Sequence, residues 1–288
     1  MPDDREQHGA VALQGISSRL KPAASADLSA SAPEWSKWVF GSSREAPSRP
    51  KCRLFCFPHA GGTGSDYRKW PADFPPEIEV LPIQLPGRGN RWNEAPIERM
   101  TVLVESLASA LAPRLDLPFA FFGHSMGCFV AYELARFLYR HAGVGPFFLF
   151  ASAARAPHLS DPEPSASALP DSAFLAKMKM LNGFPLELRN NDEFLRLILP
   201  VLRADMSICD HYHPAPDSPL PCPITALGGR DDRRVTGVHL AGWMVYTESR
   251  FRIRFFPGDH FFIGPARRQV TRVIASEVLE CLAAARLL

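Results

Sequence analysis

FAFFGHSMGCFVAYELARFL (119–138) holds an apolar run, the interruption Gly123-His124-Ser125-Met126-Gly127, and then apolar residues at helical spacing. That order reads as a strand, a sharp turn and a helix. Two glycines at such a junction cost backbone entropy unless the conformation or a close approach requires them. Between them stands a small hydroxyl. Ser125 is therefore either a nucleophile raised on a tight turn or a helix N-cap, and the surrounding chain has to decide.

Outward from this stretch, short apolar runs alternate with helical patterns. CRLFCFP (52–58), IEVLPIQLP (78–86), PFAFFG (118–123), PFFLFASA (146–153), CPITALGG (222–229) and RFRIRFFP (250–257) read as strands. Apolar residues at 97, 100, 104, 107 and 111 predict a helix opened by Pro96. Further helices are expected over 126–140, near 236–248 and at the C-terminal end, where Val270, Val273, Ile274, Val278 and Leu282 share a face. Strands alternating with helices imply an α/β fold with a mostly parallel sheet flanked by helices. Residues at the carboxyl ends of such strands face the ligand crevice.

Those ends carry the chemistry. A serine is unreactive without a base, and the base needs an acid to orient it. In the α/β-hydrolase arrangement the order along the chain is Ser, Asp or Glu, then His. LGGRDDRRV (227–235) follows one strand and offers Asp231 and Asp232; FPGDHFFI (256–263) follows the next and offers His260. Ser125 and His260 are thus expected to form a catalytic pair. An oxyanion hole needs two backbone donors. The Met126 N–H, directly after the nucleophile, is one; the Gly-rich FPHAGG (57–62) supplies the other, with Ala60 preferred and Gly61 second.

Composition removes several alternatives. The chain has 288 residues, 46% hydrophobic, and a net charge of +2, enough for one sizeable core and too mild a charge to suggest nucleic acid. The six cysteines lie scattered, and Cys52 and Cys56, four apart on one strand, suit neither a disulfide nor zinc; buried free thiols are expected. No apolar run reaches the roughly 18 residues needed to span a membrane, and Asp3, Asp4 and Glu6 speak against a transit peptide, so a cytoplasmic protein is expected. CDHYH (209–213) lacks a second ligand cluster, so no metal is expected, and HAGGTGS (59–65) lacks the lysine of a phosphate-binding loop. Residues 1–34, rich in Ala and Ser and without an aromatic residue, read as a disordered extension; the folded body, 35–288, begins with Trp35, Trp38 and Phe40.

Six motifs in order, RLFCFPHAGG, LPGRGNR, FGHSMG, LPVLRAD, PITALGGRDD and FPGDHFFI, resemble those of the type II thioesterases, the stand-alone α/β-hydrolases of polyketide and nonribosomal peptide assembly lines. The resemblance covers about residues 35–285. It implies an eight-stranded core with a helical lid after the sixth strand, which the region 155–220 suits. There LPDSAFLAKMKMLNG (169–183) sets Phe174, Leu175, Met178 and Leu181 on one face, and DEFLRLILPVLRADM (192–206) gives a second amphipathic helix; Phe174 and Met178 are the expected substrate-facing residues. The family pattern G-x-x-D-x-x-V selects Gly229, Asp232 and Val235, so Asp232 is assigned to the triad and Asp231 to loop hydrogen bonding. The activity implied is hydrolysis of acyl thioesters on the phosphopantetheine arm of carrier proteins, as an editing step. The enzyme would need no cofactor of its own and would act as a monomer without nucleic acid or membrane. An esterase or lipase-like hydrolase and a non-catalytic carrier-docking module are the competing readings.

Overall fold

A computed structural model describes residues 34–41, 50–159, 165–180, 191–214 and 219–285. The expected N-terminal extension, apart from Glu34, and Leu181 lie outside the described residues. Six strands, β1 (Cys52–Phe57), β2 (Ile78–Pro82), β3 (Phe119–His124), β4 (Phe148–Ser152), β5 (Ile224–Gly229) and β6 (Phe251–Phe256), form one sheet in the order β2-β1-β3-β4-β5-β6. Every pairing is parallel. The described residues thus show six strands rather than the eight implied by the resemblance. Next to the sheet, the chain after Trp38 makes only an isolated antiparallel bridge, Val39 to Ile83.

The first five strands are buried along their whole length, which is why they read as continuous apolar runs. Alternate side chains feed two separate cores. Phe55, Phe57, Phe119 and Phe121 pack with α1 (Met100–Leu111) and α2 (Met126–Ala142). Leu54, Cys56, Phe122, Phe148 and Phe150 pack with α6 (Arg267–Ala284), whose Val270, Ile274, Val278 and Leu282 are buried as their spacing predicted. All six cysteines are free: four are buried and two, Cys209 and Cys281, half-buried.

Two helix expectations are corrected. The first helix begins at Met100, not after Pro96, because Arg99 is still extended at φ −119° and ψ 127°. The helix expected near 236–248 is a short α5 (Gly237–Ala241) followed by a 3-10 turn over Gly242–Tyr246, which lets buried Trp243 donate its ring N–H to the Ala154 carbonyl at 2.9 Å. Between β4 and β5 lie α3 (Asp171–Met180) and α4 (Asp192–Asp210), the latter capped by the Asn191 side chain accepting from the Phe194 N–H at 2.9 Å. No helix among the described residues is long and apolar enough to cross a membrane.

The connections fix where a site can form. From β1 the chain runs outward to β2, then returns to the other side of β1 for β3, so the crevice opens between β1 and β3 at their carboxyl ends. There, Gly127 lets α2 meet β1: a Cβ on it would lie 2.3 Å from the Phe57 carbonyl oxygen and 2.6 Å from that of Pro58. Gly127→Ala must therefore push β1 away from α2, a misfit of about 1–3 kcal/mol, which for a domain this size lowers Tm by roughly 2–6 °C. Gly264→Ala is the matched control, since its nearest neighbour is the Phe261 carbonyl oxygen at 3.6 Å. Thermal melts should separate the two variants, and equal Tm values would show that the elbow has room to spare.

Candidate active site

Ser125 occupies the turn between β3 and α2 with φ 54° and ψ −119°, a positive φ on a residue that is not glycine. Such backbone costs about 1–3 kcal/mol and persists only where its surroundings impose it. Here they do. A Cβ on Gly123 would lie 2.3 Å from the Gly127 carbonyl oxygen, and the Ser125 N–H donates to the Ser152 carbonyl of β4 at 2.8 Å. As residue N1 of α2, Met126 has no carbonyl one turn back in the helix to bind its N–H.

His260 and Asp232 reach the serine from the loops after β6 and β5. His260 Nε2 lies 3.1 Å from Ser125 Oγ, and His260 Nδ1 lies 2.8 Å from Asp232 Oδ2. A carboxylate can only accept, so the imidazole proton sits on Nδ1 and Nε2 is left to accept from the serine hydroxyl. Burial would raise the Asp232 pKa. The hydrogen bond and charge of His260 and the Arg234 and Val235 N–H groups, at 2.8 and 3.1 Å from Oδ1, outweigh it and hold the carboxyl below its ordinary range. Gly229 makes the approach possible, since a Cβ there would sit 2.2 Å from the Asp259 carbonyl oxygen. Asp231 is exposed, and its contribution is a backbone N–H donated to the Gly258 carbonyl at 3.0 Å. Val235, which singled out Asp232 in the sequence, is buried.

Ser125 and His260 line a cavity of about 590 Å³ beneath α3 and α4, and Asp232 stands behind His260, outside the lining. Ala60 and Met126 line it, and the Ala60 N–H makes no hydrogen bond to any described residue. Gly61 is corrected as the second choice of donor: its N–H is bound to the Asp205 carboxylate at 2.7 Å. The lid pair is split. Met178 lines the cavity, whereas Phe174 is fully buried in a small separate core with Ala166, Met178 and Leu202, under the Arg203 guanidinium. Asp210 of CDHYH accepts from Ser165 Oγ and the Ser167 N–H, both at 2.7 Å, and His211 and His213 hydrogen-bond to main-chain carbonyls through Nδ1.

Sequence reading missed Arg88 and Asp205. Arg88 Nη1 and Nη2 donate to the two Asp205 oxygens at 2.6 and 2.8 Å, with both side chains buried. Their motifs, LPGRG and RAD, were visible, but 117 residues separate them and neither spacing nor periodicity joins them.

A family model described as the thioesterase domain matches residues 52–277. The chain belongs to the thioesterase family. A protein named linear gramicidin dehydrogenase LgrE, from Brevibacillus parabrevis, is 42% identical over 84% of this chain and 92% of its own length. Among solved structures, the RedJ thioesterase of the prodiginine pathway in Streptomyces coelicolor is 39% identical, covering 80% of this chain and 87% of that one, with a TM-score of 0.75. The type II thioesterase BorB of the borrelidin cluster is 34% identical, covering 83% and 96%, also at 0.75. The fold is the α/β-hydrolase fold of these thioesterases, and this chain is a thioesterase.

Two outcomes check the site. Asp232→Asn should lower kcat by about 10⁴-fold through loss of the imidazole tautomer, while Asp231→Asn should leave it within a few-fold; steady-state kinetics giving the reverse order would move the acid one residue upstream. Burial holds the pKa values of His59 and His124 down, so below about pH 6.5 the unfolded chain binds more protons than the folded one, and stability must fall as pH drops. Melts at pH 7.5 and 5.5 should show that fall, smaller in His124→Gln; an equal fall in both would assign it elsewhere.

Proposed function

We propose that this thioesterase releases acyl groups from the 4′-phosphopantetheine arm of acyl or peptidyl carrier proteins, clearing aberrant chains in polyketide or nonribosomal peptide biosynthesis. The observation carrying the catalytic part is the Ser125–His260–Asp232 hydrogen-bonded chain opening into the cavity beneath the lid. Relatives named for antibiotic assembly pathways support the choice of substrate.

In this reading His260 Nε2 takes the Ser125 proton as Oγ attacks the thioester carbonyl. The oxyanion rests on the Met126 and Ala60 N–H groups, each such donor being typically worth 10²–10³ in kcat. The tetrahedral species collapses with cleavage of the C–S bond, and His260 returns the proton to the departing pantetheine thiol. Water, deprotonated by the same nitrogen, then attacks the acyl-serine, and the free acid leaves with Ser125 restored. Asp232 stabilises the imidazolium in both halves without taking the proton. The phosphopantetheine belongs to the carrier, so the enzyme supplies no cofactor. The dehydrogenase name of one relative has no counterpart in this chemistry, and the glycines after β1 lack the spacing of a dinucleotide fingerprint. The setting implied is the cytoplasm, with the enzyme a monomer meeting carrier domains in solution.

Intact-mass analysis of a carrier protein loaded with acetyl, propionyl or decanoyl groups tests this directly. The wild-type protein should return the carrier to its free-thiol mass, and Ser125→Ala, folded with an unchanged melting profile, should not. Retained hydrolysis in Ser125→Ala would remove the serine from the mechanism. Faster turnover of p-nitrophenyl esters than of carrier-bound chains of equal length would favour an esterase.

A further inference from the structure

A buried ion pair is poor evidence of a stabilising device, because apolar residues of similar volume often serve stability as well or better. The Arg88–Asp205 pair therefore raises the question of what else it holds. Asp205 lies on α4, the lid helix whose Leu202 and Met206 line the cavity, and the residue is 1% exposed. Its Oδ2 accepts twice, from Arg88 Nη1 at 2.6 Å and from the Gly61 N–H at 2.7 Å. Arg88 adds weaker bonds to the Pro86 and Gly62 carbonyls at 3.2 and 3.3 Å. Gln84 ties the same two loops together, donating to the Arg88 carbonyl at 2.9 Å and accepting from the Gly64 N–H at 3.0 Å.

From these contacts we infer that Asp205, locked by Arg88, is a positioning residue for the oxyanion hole: by binding the Gly61 N–H it sets the turn that presents the Ala60 N–H to the cavity. Gly61 stands at φ 76° inside a turn closed by the Gly62 N–H to the His59 carbonyl at 2.9 Å. The peptide between Ala60 and Gly61 is planar, so fixing the Gly61 N–H fixes one side of Ala60, and the turn fixes the other. The loop after β1 thus takes its shape from a carboxylate on the lid helix. The inference rests on Ala60 being an oxyanion donor, as the proposed mechanism has it.

The test compares two double variants that both remove the ion pair and differ in one acceptor. Arg88→Met/Asp205→Asn keeps an oxygen for the Gly61 N–H, whereas Arg88→Met/Asp205→Leu, nearly the same in shape, does not. A small acyl-N-acetylcysteamine thioester serves as substrate, so that carrier recognition plays no part. Displacing a catalytic donor by about 1 Å costs on the order of 10²-fold. The Leu pair should therefore show kcat about a hundredfold below the Asn pair, with KM within about threefold and a similar Tm. A trifluoromethyl ketone, which forms a tetrahedral adduct on the serine, should weaken by the same factor. Equal kcat in the two pairs, or a difference confined to KM, overturns the inference. If the Leu pair does not fold, Arg88→Met/Asp205→Ala takes its place under the same criteria. Failure of the wild-type protein to cleave the thioester would instead count against the proposed function, so the two failures are told apart.

Discussion

The close approach of α2 to β1 and β3 governs the rest of the molecule. Ser125 can stand at φ 54° only because Gly123 and Gly127 remove two side chains that would collide with main chain at 2.3 Å. Once that turn is made, the start of α2 faces the loop after β1, and the proposed nucleophile sits where the crevice opens between oppositely directed connections. The loops after β5 and β6 then need only reach across neighbouring strands to bring Asp232 and His260 within hydrogen-bonding distance. The strain at the serine is thus a consequence of packing glycine against backbone, imposed by the sheet itself.

Buried charge is used at both ends of the strands, to different ends. At the amino end of β1, Arg53 donates through Nε to Glu79 of the paired residue on β2 at 2.8 Å, and contacts Asp116 as well. That network ties β1, β2 and the approach to β3 together, far from the cavity, and reads as structural. At the carboxyl end, Arg88 and Asp205 join the loop after β2, the loop after β1 and α4. Both pairs are buried and hydrogen-bonded along their edges, so neither leaves an uncompensated charge. What separates them is what hangs on each: strand register in one case, the shape of a loop at the site in the other.

Local signals were legible and distant ones were not. The elbow and the choice of Asp232 over Asp231 follow from patterns within nine residues, the order Ser, Asp, His needs only that each short motif be placed after its strand, and the buried Val235 shows why the Asp232 pattern works: it seats the loop after β5. The start of α1 was placed too early because Ile97 keeps the helical spacing while the backbone at Arg99 is extended. Phe174 and Met178 share a helix face, and the sequence cannot tell which of two layers each enters. Met178 lines the cavity, while Phe174 is enclosed in one cluster with Ala166 and Leu202 of α4. The Arg88–Asp205 pair depends on loops brought together by the whole fold, so no window of sequence contains it.

The site also gathers three imidazoles, and burial assigns them different work. The rings of His59 and His124 lie 6.0 Å apart, and that of His124 is 5.6 Å from His260. In the proposed mechanism His260 becomes an imidazolium, and a second positive charge at that range would oppose it directly. Burial prevents this. His124 is fully enclosed and hydrogen-bonded through Nδ1 to Ser152 Oγ at 2.9 Å, and desolvation, with the neighbouring histidines adding to it, holds its pKa well below the ordinary value. His59 is pushed down in the same way, against the pull of Asp66 and Asp205. Both rings therefore stay neutral and act as packing around Phe261. His260 alone has a carboxylate on one nitrogen and a hydroxyl on the other. The charge that the reaction creates has one place to settle, next to the one buried carboxylate aimed at it.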